Sequence, residues 1–84
     1  MKASERLAEK LAFLLDGDYL QYAALAKACG VTKQAITGWR KTGRIAKPHL
    51  PIITELAGVT VDWLISDEPP EEEKVIAMRA PKPR

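Results

Sequence analysis

A single cysteine, Cys29, and a single histidine, His49, are the chain's whole stock of thiol and imidazole ligands. No internal disulfide can form, and no set of residues has zinc-ligand spacing. Cys29 has no neighbouring histidine to activate it, so it reads as a small buried side chain, not a nucleophile. No stretch approaches the roughly 18 apolar residues of a membrane span. The opening Met1-Lys2-Ala3-Ser4-Glu5-Arg6 is charged where a secretory leader would be apolar. These absences imply a cytoplasmic protein with no metal, no cofactor and no catalytic residues, and no enzymatic activity is expected of it. Neither an internal repeat nor an alternating strand pattern occurs in residues 1–66. What remains is 84 residues, 46% hydrophobic and 29% charged, enough for one small domain with a modest core.

The apolar residues that are present recur at helical spacing. Leu7, Leu11, Leu14 and Leu15 form one stripe, with Glu5, Arg6, Glu9 and Lys10 on the remaining faces, Ser4 as N-cap and Asp16-Gly17-Asp18 as the stop. A second helix is expected from about Gln21 to Cys29, closed by Gly30, and a third from the cap Thr32 to about Lys41, closed by Thr42-Gly43. Leu50, Ile53, Leu56 and Ala57 mark a fourth, with Pro48 and Pro51 tolerated near its first turn. Thr60 caps a short fifth from Val61 to Ile65. The expected fold is therefore an all-α bundle of about five short helices over residues 1–66. Residues 67–84 read as an acidic, Pro-rich tail or linker, with Val75–Met78 as a short strand.

Acidic residues are missing between Asp18 and Glu55, while Lys27, Lys33, Arg40, Lys41, Arg44 and Lys47 all lie there. That window carries a net charge of +6, and the rest of the chain a net of −4, so the formal total of +2 conceals a dipolar molecule. A basic surface of this kind is the footprint of a polyanion, most simply nucleic acid.

Spacing within the window narrows the reading. Ala26 permits a close helix crossing, Gly30 makes the tight turn four residues later, and Val31, Ile36 and Trp39 fill the wedge behind it. This is the pattern of a helix-turn-helix. Together with Leu25-Ala26, Cys29-Gly30-Val31, Thr32-Lys33-Gln34-Ala35-Ile36, Leu50, Ile53 and the closing Gly58-Val59-Thr60-Val61-Asp62-Trp63-Leu64, it resembles the lambda-repressor-like class of phage repressor, Cro and XRE-like regulators over about Leu7 to Ile65. Two positions depart from that class. Tyr22 stands where glutamine often opens the second helix, with Gln21 one residue earlier. Arg40 replaces a common glutamate, adding positive charge in place of an intraprotein acidic partner.

The resemblance implies that the third helix enters the major groove. Thr32, Lys33, Gln34, Thr37 and the bare backbone of Gly38 would then reach base edges: Gln34 toward adenine, Lys33 toward guanine, the Thr37 methyl toward thymine. Gln21, Tyr22, Arg40, Lys41, Arg44 and Lys47 are the candidate phosphate contacts. Trp39 and Trp63 fall on buried phases and are expected in the core, with His49 on the surface or at a cap. The function expected is sequence-specific binding of double-stranded DNA by a transcriptional regulator of the repressor type. It would act as a homodimer on a two-fold operator, joined around Val59, Val61 and Ile65 with Val75–Met78 as an added strand. Two alternatives stay open: an antitoxin-like regulator that grips a protein through its C-terminal tail, and the N-terminal part of a longer self-cleaving repressor.

Overall fold

Helix α1 spans Ala3–Asp16 in the computed structural model, which describes residues 3–79. Its leucine stripe faces inward: Leu11 and Leu14 are fully buried, Leu15 nearly so, and Leu7 lies half-buried at the edge. The helix starts at Ala3, so Ser4 is inside it and is not its N-cap. At its far end Asp18 adopts φ of 65°, a left-handed turn conformation that a short carboxylate tolerates through local hydrogen bonds.

Five more helices follow: α2 (Tyr22–Cys29), α3 (Lys33–Thr42), α4 (Leu50–Ala57), α5 (Val61–Ile65) and α6 (Glu72–Arg79). A 3-10 turn, Lys47–His49, leads into α4, and the described residues contain no strand. Local chemistry sets most of these boundaries. Thr32 Oγ1 accepts from the Ala35 amide and Thr60 Oγ1 from the Trp63 amide, each at 3.1 Å, satisfying a donor that the first helical turn would otherwise leave unpaired. Gly30 takes φ of 69°, where a side chain is disfavoured, and the following Val31 amide reaches back to Ala26 O at 3.0 Å. The chain thereby turns from α2 into α3 within three residues.

Every helix sends a fully buried apolar side chain to the common core: Leu11 and Leu14 from α1, Leu25 from α2, Ile36 from α3, Ile53 from α4, Leu64 from α5 and Val75 from α6. The class is all-α, as the periodicity predicts, with one helix more than expected.

That extra helix corrects the reading of residues 75–78. They form no strand; they belong to α6, with Val75 in the core and Met78 packed half-buried against it. Glu72 and Glu73 in its first turn and Arg79 in its last complement the helix dipole, and Val75 and Met78 lie three residues apart on one face. The described residues offer no strand with which a four-residue segment could pair. Arg79 lies over the Tyr19 ring at 4.8 Å, and Lys74 pairs with Glu68 at 2.9 Å. The segment expected as a tail thus folds back onto the bundle as far as Arg79.

Lys10 is likewise not on the solvent face. It is fully buried, with Nζ donating to Trp63 O, to Ser66 O at 2.7 Å and to Ser66 Oγ at 2.8 Å, and lying 5.0 Å from the Trp63 ring centroid. Burial pulls its pKa below the ordinary lysine value and Glu68 opposes that pull, while three oxygens and a ring face hold the ammonium. The lysine closes the carbonyl end of α5 and anchors the start of the segment leading to α6. Val59 is also buried, so it cannot belong to a docking surface, whereas Val61, Ile65 and, on α6, Ile76 are exposed.

Candidate nucleic-acid interface

The face of α3 follows from its sequence. With about 100° between successive residues, Lys33, Thr37, Lys41, Gln34 and Gly38 fall within an arc of about 140°, and Ile36 and Trp39 fall opposite. Burial agrees: all five are exposed, Ile36 is fully buried, and Trp39 is half-buried. Trp39 stacks on His49 with centroids 5.1 Å apart and rings inclined by 29°. His49 is thus a half-buried anchor that ties the end of the basic loop to α3; it stands at the N-cap position of α4, as expected, but makes no side-chain capping bond there.

The candidate base readers differ in what they leave free. Lys33 and Gln34 have no side-chain bond to another described residue. Thr32 commits one lone pair of its oxygen to capping α3, keeping its hydroxyl proton to donate and one lone pair to accept. Thr37 donates to Lys33 O at 3.2 Å, so its methyl is what it can offer outward. Gly38 has a right-handed helical backbone, and a Cβ added there would meet nothing within 4 Å. Nothing inside the chain requires glycine at this position, where it costs about 1 kcal/mol of helix stability relative to alanine.

Among the expected phosphate contacts, Lys41, Arg44 and Lys47 are exposed and form no ion pair with a described residue, as is also true of Lys27 and Lys33. The loop that carries Arg44 is held by Gly43, whose amide reaches Trp39 O at 2.7 Å, by the Arg44 amide on Thr42 Oγ1 at 3.3 Å, and by half-buried Ile45. Gln21 is the exposed residue before α2 and makes no side-chain capping bond.

Arg40 is read from the sequence as lacking an intraprotein acidic partner. It has an intraprotein acidic partner after all: Nη2 donates to Asp16 Oδ2 at 2.7 Å, and Nη1 donates to the Tyr22 hydroxyl at 3.0 Å. Both bonds hold its pKa above the ordinary arginine value, the Tyr22 bond first. Asp16, 24 residues distant in sequence, was expected only as part of a turn. An open cavity of about 340 Å³ lies beside it, lined by Phe13, Asp16, Gly17, Tyr19 and Glu72. Cys29 is half-buried, and burial raises its thiol pKa above the ordinary cysteine value.

No family model, no curated protein and no solved structure matches the chain.

Proposed function

We propose that the chain binds double-stranded DNA sequence-specifically, with α3 in the major groove, and regulates transcription as a repressor-type protein. One observation carries the reading. The outward arc of α3 offers Lys33, Gln34, Thr37 and Lys41, all exposed, in a stretch of 36 residues without an acidic side chain. An ordinary solvent-facing helix mixes charges of both signs; a face that meets phosphates keeps one. The unneeded glycine at position 38 fits the same reading, because backbone without a Cβ can approach a base pair closely. The likeness to lambda-repressor-like regulators adds the order of the elements.

One short helix reads only a few base pairs, so the protein acts on DNA as a homodimer. Exposed Val61 and Ile65 on α5, with Ile76 on α6, supply the apolar surface on which two copies can meet.

Replacing Gln34 tests the reading at its sharpest residue. Gln34→Ala is expected to lose about 1–3 kcal/mol of binding on the preferred duplex and little on random duplex, measured by fluorescence anisotropy. Equal losses on both would move Gln34 from base recognition to a non-specific role.

A further inference from the structure

Arg40 stands at the rim of the outward arc of α3, about 20° around the helix from Lys33. Its guanidinium nevertheless turns to the body of the protein. Asp16 ends α1, Tyr22 opens α2, and Arg40 lies near the end of α3, so one planar cation ties three helices together through bonds of 2.7 and 3.0 Å. A guanidinium fork fixes direction as well as distance, which a lysine ammonium would not. The tie matters because α3 has only one fully buried side chain, Ile36, with Trp39 half-buried one turn later. Ile36 and the Trp39–His49 stack hold α3 through apolar contacts, which fix direction only loosely. Arg40, four residues beyond Ile36, adds a directional polar attachment to α1 and α2.

We infer that Arg40 is a positioning residue: with Asp16 and Tyr22 it sets the angle at which α3 presents Lys33, Gln34 and Thr37, and it does not bind phosphate. This rests on the reading of α3 as the DNA-reading helix. The Arg40 side chain is one-third exposed and that of Asp16 more than half, so the pair adds little to fold stability, and its effect falls on geometry.

Salt titrations separate a positioning residue from a phosphate ligand. Arg40→Met, Asp16→Asn and the double variant are titrated with the preferred duplex and with random duplex between 50 and 200 mM salt, their folding checked by circular dichroism. Each single variant is expected to bind the preferred duplex about five- to tenfold more weakly. The double variant should be no worse than either single one, random duplex should be little affected, and the slope of log K against log salt should stay that of the parent. Asp16→Asn keeps the size of an exposed side chain and so keeps the test valid if Arg40→Met folds poorly. A slope reduced by about 0.9 in Arg40→Met, with tighter binding by Asp16→Asn, would make Arg40 a phosphate ligand and overturn the inference. Parental affinity in both variants would overturn it too. A parent that shows neither salt dependence nor sequence preference would instead remove the DNA reading on which it rests.

Discussion

Duplex DNA held by this protein at 50 mM salt is expected to be bound several hundredfold more weakly at 200 mM. Lys27, Lys33, Lys41, Arg44 and Lys47 are exposed and have no acidic partner among the described residues. If these five cations each meet a phosphate, about 0.9 counterion is released per contact, and log K falls against log salt with a slope of about −4 to −5. A fourfold rise in salt then costs a factor of about 250 to 1,000. Arg40 is left out of the count because its guanidinium is already on Asp16 and Tyr22. Binding curves at four or five salt concentrations give the slope directly. A slope near zero would contradict the assignment of the basic window to phosphate.

The second large effect concerns the last helix. Val75 has no exposed surface and lies in the same cluster as Leu11, Ile53 and Leu64. Val75→Asp puts an unpaired carboxylate there, at a cost of about 3 kcal/mol or more. In a domain of this size each kcal/mol lowers the melting temperature by about 4–8 °C, so Tm should fall by at least about 12 °C. The loss should be seen in a single cooperative transition, because α6 shares one core with the other five helices. A variant that melts with the parent would mean that residues 72–79 are an appendage, as their composition first implied.

Why that helix was hidden while others were plain is a matter of range. Thr32 and Thr60 cap helices through amides three residues away, and Gly30 turns the chain through its own φ, so the sequence around each carries the whole cause. The buried stripes of α1 and α3 are similarly local, since periodicity alone puts Leu11, Leu14 and Ile36 inward. α6 gives a weaker signal: Pro69-Pro70 and three glutamates precede it, and Ile76 points to solvent, which blurs the stripe made by Val75 and Met78. Lys10 is three residues after Leu7 and four before Leu14, on the buried face by phase, but its charge argued for water. Only the carbonyls of Trp63 and Ser66, with the Ser66 hydroxyl and the Trp63 ring, all more than 50 residues away, make its burial tolerable. The pairing of Arg40 with Asp16 depends in the same way on how α1, α2 and α3 meet. The outward residues of α3 were legible because one helix contains them all, whereas the brace that orients them spans three.

Selection of preferred sites from a random duplex library, followed by titration of the best site against a scrambled duplex at one fixed salt concentration, tests the central claim most directly. The account predicts an inverted repeat whose half-site centres lie about 10 base pairs apart. It also predicts at least about a thousandfold preference over the scrambled duplex, with two protein chains bound per site. Equal affinity for both duplexes would contradict it, leaving a basic surface that holds nucleic acid by charge alone.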